Sequence, residues 1–207
     1  MLFIYIYIPL FGQIIHPAFD EPQFFSYGVQ NGTGSLGVTP DTLFNINSMT
    51  KVFTALVLAE QANAGVVALD DAVQRYQPGV ALDPQGDAAM ELVDLASHWS
   101  GLPTRPSNLP NPDYINYTNA MFYAFMHDYA FPTLHVRKQY WYSNCAFGLL
   151  ANVLADDEGV DFARLMQTHI FDRDGMTRSD LATHTARVDA RISGGHAEDG
   201  TPLPAVR

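Results

Sequence analysis

The spacing of the apolar residues changes near residue 48, and this change restricts the fold more than any other feature of the sequence. Over residues 1–47, short apolar runs alternate with Pro and Gly turns, a pattern typical of β-strands. From residue 48 to 185 the apolar residues recur at helical spacing, and residues 186–207 return to short apolar pieces around glycines. We therefore expect an α+β protein with N-terminal strands, a mainly helical domain over 48–185, and a return toward the sheet over 186–207.

The composition excludes several classes of protein. Of the 207 residues, 47% are hydrophobic and 16% are charged, which is typical of a globular chain rather than a disordered one. A formal charge of −11 opposes binding to nucleic acids or to anionic membranes. The single cysteine, Cys145, excludes a disulfide framework and a thiolate cluster, and the seven histidines have no metal-binding spacing such as H-E-x-x-H. We expect no metal, no organic cofactor and no nucleic-acid partner.

Residues 1–15 form an apolar run rich in Ile, Tyr and Phe. This run is too short to span a bilayer as a helix, and no Lys or Arg precedes Lys51 to supply the basic region of a signal peptide. Its composition predicts a buried β-strand, and a cleaved leader is the alternative.

Polar residues mark where several helices begin. A helix is predicted over residues 48–64, ended by Gly65. Asp70, Thr118 and Asp161 are candidate N-caps of three later helices, and the apolar run over 145–155 predicts another.

Ser48 and Lys51 form an S-x-x-K pattern at the start of the first of these helices. Residues three apart lie on one helix face, so the lysine amine can reach the serine hydroxyl, and the helix N-terminus adds positive potential there. A lysine in an apolar pocket can lose its proton and act as a base, which would make Ser48 a nucleophile without histidine. The alternative is a helix cap followed by a solvated lysine.

Tyr142, Ser143 and Asn144 precede the apolar run over 145–155. A buried tyrosine that faces a lysine ionises more readily and can share the general-base role. Asn144 carries a donor and an acceptor, which suit it to hold a substrate amide and to orient Lys51. In the alternative interpretation, Asn144 caps its helix and Tyr142 only packs.

Three segments together resemble the superfamily of class C β-lactamases, low-molecular-weight penicillin-binding DD-peptidases and related esterases. They are residues 42–54, which contain the S-x-x-K pattern, residues 95–103 (LASHWSGLP) and residues 142–150 (YSNCAFGLL). The resemblance runs from about residue 27 to about residue 204. It implies a β-lactamase/transpeptidase-like fold, an α/β sandwich joined to an all-helical domain, and a periplasmic or secreted location, although residues 1–15 give no convincing signal peptide.

The sequence departs from that superfamily in two places. The third motif, K-T-G or H-x-G, is absent before Arg207, and the nearest string, residues 184–186, lacks the glycine. The Pro-Gly that commonly precedes the Y-x-N motif is replaced by residues 137–139 (RKQ). The sequence thus predicts an incomplete fold that lacks the C-terminal strands of the sheet, through truncation, a shortened gene product or a partner chain that completes the sheet.

The resemblance implies a serine hydrolase that acts through an acyl-enzyme on the carbonyl of a β-lactam, a D-Ala-D-Ala peptide or an ester. Ser48 would be the nucleophile, Lys51 and Tyr142 would transfer protons, and Asn144 would bind the substrate or orient Lys51. His98 is expected to support the wall of the site through a hydrogen bond, and Cys145 is expected to be a small buried residue. The alternative function is a catalytically impaired fragment or interaction protein that needs a C-terminal segment or a partner chain.

Overall fold

The computed structural model describes residues 10–14, 17–21, 23–30, 36–80, 82, 89–110, 117–128, 136–181, 192–194 and 201. Its strands are β1 (Leu10–Ile14) and β2 (Gln23–Tyr27), and its helices are α1 (Thr50–Asn63), α2 (Val73–Tyr76), α3 (Leu92–Ala96), α4 (Asn119–Asp128), α5 (Asn144–Glu158) and α6 (Phe162–Met166). A 3₁₀ turn, Asn47–Met49, precedes α1, and a π-helical segment, Gln167–Phe171, follows α6. The chain divides into two compact units, Met1–Asn47 with His184–Arg207, and Ser48–Thr183.

In the first unit, β1 and β2 form an antiparallel pair in which Leu10 lies opposite Tyr27 and Ile14 lies opposite Gln23. All five residues of β2 are exposed, and Ile14 is 48% exposed. The predicted strand is therefore present over 10–14, but the prediction that it is buried is wrong for Ile14. Residues 1–9 and 15 lie outside the described part. The alternative of a cleaved leader falls on these residues and stays a prediction.

Two isolated bridges extend the pairing within this unit. Val29 pairs with Gly37 in an antiparallel bridge, and Leu43 pairs with Ile192 in a parallel one. The Ser193 amide also donates to the carbonyl oxygen of Leu43 at 2.8 Å. Of the predicted return toward the sheet over 186–207, only residues 192–194 and 201 are described.

The core of the second unit is built around α5. Eight of its residues are buried (Cys145, Ala146, Phe147, Leu149, Leu150, Val153, Leu154 and Ala155). This helix packs against α1, α2, α3 and α6. In α1 the buried residues are Thr54, Val57, Leu58 and Gln61, whose spacing places them on one face. Burial of these faces fixes α1 against α5, and the candidate site lies at the N-terminal ends of these two helices.

The helix boundaries agree with most of the predicted caps. The Asp161 carboxylate accepts a hydrogen bond from the Arg164 amide at 2.7 Å and caps α6. The Thr118 hydroxyl accepts a hydrogen bond from the Met121 amide at 3.3 Å at the start of α4. The prediction that Asp70 caps a helix is wrong, because the N-cap of α2 is Ala72.

Asp71, the neighbour of Asp70, instead organises the entry to α2. Its carboxylate accepts hydrogen bonds from the Ala68 amide and the Tyr76 hydroxyl, both at 2.7 Å. These bonds lower the pKa of Asp71. Along the part of the chain that the structure describes, no helix combines the length and the apolar character needed to cross a bilayer.

Candidate active site

Ser48 lies in the 3₁₀ turn that leads into α1, and it is exposed. Lys51 is one turn further on, and its Nζ donates a hydrogen bond to Ser48 Oγ at 3.2 Å. The S-x-x-K spacing thus brings the amine to the hydroxyl as expected from helix geometry. The hydroxyl is open to a ligand and is contacted by a cation from its own helix.

Tyr142 approaches Ser48 from the segment that enters α5. Its hydroxyl donates a hydrogen bond to Ser48 Oγ at 2.8 Å, and Lys51 Nζ lies 4.9 Å from the centroid of its ring. The hydrogen bond with Lys51, followed by that with Ser48, lowers the pKa of Tyr142, and the charge of Lys51 acts in the same direction. The prediction that Tyr142 is buried is wrong, because 37% of the residue is exposed, so its pKa is governed by these contacts rather than by burial.

Asn144 completes the arrangement through Lys51. Its Oδ1 accepts a hydrogen bond from Lys51 Nζ at 2.8 Å. The interpretation that Asn144 caps its helix is wrong, since Ser143 is the N-cap of α5 and its Oγ accepts a hydrogen bond from the Ala146 amide at 2.9 Å. The amide side chain of Asn144 is therefore turned to Lys51 and not to the end of the helix.

Ser143 itself is fully buried between these two exposed neighbours. Besides capping α5, its hydroxyl donates a hydrogen bond to the carbonyl oxygen of Pro103 at 2.7 Å. Its backbone is extended, with φ −131° and ψ 120°, so adjacent side chains point to opposite sides. This places Ser143 in the core while Tyr142 and Asn144 face Ser48 and Lys51.

The wall behind Tyr142 is formed by His98 and Phe147. The His98 ring lies 4.5 Å from the ring of Tyr142 and 5.1 Å from that of Phe147, centroid to centroid. His98 Nδ1 accepts a hydrogen bond from the Ser143 amide at 3.1 Å, which confirms the predicted structural role. Phe147 lies 5.7 Å below Lys51 Nζ, so the ammonium group rests over two aromatic rings.

Two further residues were given no role from the sequence. Thr104 Oγ1 donates to the carbonyl oxygen of Tyr142 at 2.7 Å and accepts from Trp141 Nε1 at 3.2 Å. Arg137 has φ +60° and forms a bidentate pair with Asp94, with both N–O distances at 2.9 Å. No local pattern in the sequence indicates the role of Thr104. For Arg137, the RKQ string in place of Pro-Gly was a signal that the backbone differs here from the family pattern.

Among the described residues, no group of three or more His, Cys, Asp or Glu side chains is arranged to hold a metal ion. Cys145 is 1% exposed, and burial raises the pKa of its thiol to about 12, which confirms it as a small buried residue. The candidate site consists of an exposed serine hydroxyl contacted by a lysine and a tyrosine, with an asparagine bonded to the lysine.

Comparison with known proteins places the chain in a family. Over residues 20–207 the chain matches the family described as Beta-lactamase. It is 26% identical to a β-lactamase of Pseudomonas fluorescens over 88% of this chain, and 29% identical to the D-alanyl-D-alanine-carboxypeptidase/endopeptidase AmpH of Escherichia coli K12 over 73% of it. The chain spans 49% and 40% of the lengths of these two relatives.

The structure leads to the same family. The class C β-lactamase of Rhodobacter sphaeroides superposes with a TM-score of 0.71 and 25% identity, over 95% of this chain and 52% of that protein. The mixed β-lactamase/transpeptidase-like fold expected from the sequence is thereby confirmed. Since the family match extends over residues 20–207, this chain belongs to the Beta-lactamase family.

Proposed function

We propose that this chain carries the nucleophile of a serine hydrolase that works through an acyl-enzyme. The observation that carries the proposal is the position of Ser48 Oγ, 2.8 Å from the Tyr142 hydroxyl and 3.2 Å from Lys51 Nζ. A serine hydroxyl becomes a useful nucleophile when an adjacent group can take its proton. Membership of the Beta-lactamase family supports this reaction class.

In the first step, Ser48 Oγ attacks the carbonyl carbon of the substrate. Its proton passes to the phenolate form of Tyr142 or to the neutral amine form of Lys51, and the carbonyl oxygen takes up the negative charge. The lowered pKa of Tyr142 favours the phenolate route, because a larger fraction of a tyrosine with a lowered pKa is ionised at a given pH. The product of this step is a tetrahedral adduct on Ser48.

Asn144 and the backbone of Ser48 have separate roles in this step. Asn144 Oδ1 holds Lys51 in place. The side-chain NH₂ group of Asn144 is a hydrogen-bond donor and can bind a substrate carbonyl. The amide N–H of Ser48, at the start of the helix, would donate to the developing oxyanion. Loss of one such donor in other enzymes slows the reaction by about 10² to 10³-fold.

The adduct then collapses, and the bond from the carbonyl carbon to the leaving nitrogen or oxygen breaks. The leaving group takes the proton held on Tyr142 or Lys51, and the acyl group stays on Ser48. Water attacks this ester in a second step, with the same groups accepting its proton, which releases the acid and restores Ser48.

We infer the substrate class from the superfamily resemblance: β-lactams, D-Ala-D-Ala peptides or simple esters. The relatives are named as β-lactamases and as a D-alanyl-D-alanine carboxypeptidase/endopeptidase, which supports a small-molecule or peptide substrate with an attackable carbonyl. A partner chain that completes the sheet stays a prediction from the sequence.

The test is intact-protein mass spectrometry after incubation with a penicillin and, separately, with a p-nitrophenyl ester. We expect one adduct, located on the peptide that contains Ser48, and its loss in Ser48→Ala because the attacking oxygen is gone. Ser107→Ala is the matched control: Ser107 is an exposed serine outside the site, and its removal should leave labelling unchanged.

Labelling that survives Ser48→Ala would refute Ser48 as the nucleophile. A folded sample that gives no adduct with either reagent would support the alternative function, a chain that needs a C-terminal segment or a partner chain for chemistry. Addition of a C-terminal segment from one of the relatives would then distinguish a split enzyme from an interaction protein.

A further inference from the structure

His98 makes two hydrogen bonds to the segment that carries Tyr142, one on each side of it. The Trp141 amide donates to the carbonyl oxygen of His98 at 2.9 Å, and the Ser143 amide donates to His98 Nδ1 at 3.1 Å. The position of the Tyr142 backbone is thus defined from both sides by one residue.

The backbone of His98 is adapted to this role. Its φ is +64°, in the left-handed region that residues with a side chain adopt at a cost. This conformation is what lets the carbonyl oxygen and the ring of the same residue serve Trp141 and Ser143, respectively. A left-handed residue that bonds both flanks of Tyr142 does more than form a turn, because it connects the turn to the segment that carries Tyr142.

The ring of His98 also touches Tyr142 directly. It packs at 4.5 Å from the Tyr142 ring and 5.1 Å from the Phe147 ring, and Tyr140 meets it edge-on at 5.8 Å. The titratable groups that face it are Lys51 from α1, and Tyr140 and Tyr142 from the segment before α5, while α5 contributes the apolar Phe147 ring. Among the described residues, no carboxylate forms a hydrogen bond with this ring to stabilise a positive charge on it.

The bond from the Ser143 amide selects one tautomer of the neutral ring. Nδ1 accepts a hydrogen from Ser143, so the neutral ring carries its proton on Nε2. A second proton would go to Nδ1, which would then be a donor facing the donor of Ser143. The imidazolium would also be a second cation beside Lys51.

We propose that His98 is a positioning residue for the reaction at Ser48, and that its neutral ring holds Tyr142 and Asn144 against Ser48 and Lys51. Protonation of Nδ1 breaks the hydrogen bond from Ser143 and displaces this segment. This segment carries Tyr142, which contacts Ser48, and Asn144, which contacts Lys51, so its displacement weakens both contacts together. This proposal rests on the proposed function, since the reaction it supports is acylation of Ser48.

The direction of the pH dependence follows from the surroundings of the ring. Burial, followed by the charge of Lys51, lowers the pKa of His98 below its usual value. The unfolded chain therefore binds the extra proton first, and the stability that His98 contributes is lost as the pH falls below about 6.5 and through the lower pKa of the folded protein. We expect the acylation rate to fall over the same range.

The test compares His98→Asn and His98→Ala with the unaltered chain. Asparagine presents Oδ1 close to the position of Nδ1, tolerates a positive φ, and does not titrate. We expect His98→Asn to keep acylation by p-nitrophenyl acetate near pH 7.5 within a few-fold and to remove the part of the low-pH decline that follows titration of His98. The part that comes from protonation of Tyr142 and Lys51 should remain. His98→Ala leaves the Ser143 amide unpaired, and we expect acylation to slow by up to about 100-fold at every pH.

The second readout is independent of activity. In the unreacted protein, the ¹H–¹⁵N signals of Trp141 and Ser143 should shift with pH at the same midpoint as the His98 ring, and this shift should vanish in His98→Asn. His127→Asn is the matched control, because the His127 side chain is 74% exposed on α4, and neither readout should change.

The outcomes separate this proposal from the proposed function. Amide signals that do not follow His98 would overturn it, and so would a pH profile of acylation that is the same in His98→Asn as in the unaltered chain, or an unchanged rate in His98→Ala. If no variant is acylated, the proposed function fails, and the amide signals alone decide whether neutral His98 holds the Tyr142 segment.

Discussion

Lys51 is the residue on which the other site residues converge. Its ammonium group donates to Ser48 Oγ and to Asn144 Oδ1, and it lies over the rings of Tyr142 and Phe147. A single cation therefore orients an amide, polarises a hydroxyl and stabilises a phenolate. A change at Lys51 should be detectable at Tyr142, even though 91 positions separate them in the sequence.

Lys51→Met removes the hydrogen bond and the charge that lower the pKa of Tyr142. We expect the pKa of Tyr142 to rise toward or above that of an ordinary tyrosine, so the phenolate appears only at higher pH. Titration of the Tyr142 ¹³Cζ signal by NMR measures this directly. Lys138→Met, which removes the other lysine of the chain, should leave the titration of Tyr142 unchanged. An unaltered Tyr142 pKa in Lys51→Met would mean that the lysine does not control the phenol.

Two kinds of contact between site residues could be predicted: those between residues close in the sequence, and those implied by the family resemblance. The Ser48–Lys51 contact follows from helical spacing alone. The contact of Tyr142 with Ser48 joins residues 94 positions apart and was expected only through the resemblance. Arg137 was missed because its left-handed backbone is accompanied by ion pairs to Asp94 and Glu91, which are distant in the sequence.

The junction between the extended segment and α5 determines which side chains reach the site. Extended backbone at Ser143 alternates the side chains, and the helix that begins at Asn144 is fixed by its buried face. The Ser143 hydroxyl accepts a hydrogen bond from a free amide at the start of the helix, so its two neighbours need no capping role. At this junction Ser143 therefore stabilises the helix, while Tyr142 and Asn144 contribute their side chains to the site.

Ser143→Ala removes the cap of α5 together with the bond to Pro103. We expect the free energy of unfolding to fall by about 1–2 kcal/mol, the usual effect of losing a serine cap. Chemical denaturation measures the change. Asp161→Ala is the comparison at α6, with a loss of about 1 kcal/mol and no change in labelling of Ser48. Unchanged stability of Ser143→Ala would show that the cap is not needed to hold this end of α5.

Most helices could be predicted as elements, but some of their details could not. The helix predicted to begin at Asp161 changes to π-helical geometry at Gln167–Phe171, and the sequence pattern did not indicate this change. His169, within that segment, contacts Glu60 at 3.1 Å and Glu158 at 2.7 Å, on α1 and α5. Contacts of this kind join distant parts of the chain and leave no trace in the local spacing of apolar residues.

The two units differ in how much apolar surface they bury. The unit over Ser48–Thr183 contains all four proposed site residues and nearly all of the buried core. In the other unit, Phe24, Phe25 and Tyr27 of β2 are 45–58% exposed, and the described strands form a two-stranded sheet. An isolated pair of strands is only marginally stable in water.

Hydrogen exchange should reveal this difference across the molecule. We expect the amides of α5 to exchange on the order of 10³-fold more slowly than those of β1 and β2, because buried helices open only with global unfolding. Mass-spectrometric or NMR detection of exchange on the whole chain measures both in one sample. Equal protection of β2 and α5 would contradict the expectation, and a dilution series would show whether self-association protects the strands.

The order of strands and helices along the chain was accessible to sequence reasoning, because caps and periodicity are local signals. The bridge between Leu43 and Ile192 was not, since it joins residues 149 positions apart by backbone atoms alone. The exposure of Ile14 was also missed, because an apolar composition predicts burial but does not show what covers a strand.

Cys145 gives the molecule a practical property that has nothing to do with catalysis. The chain has one cysteine, it is almost fully buried, and its thiol has a pKa of about 12. Thiol reagents react with the thiolate, so the folded protein is nearly silent toward maleimides at neutral pH. A cysteine introduced at an exposed position such as Val52, next to Lys51, can therefore carry a spin label or a fluorophore without removal of the native residue.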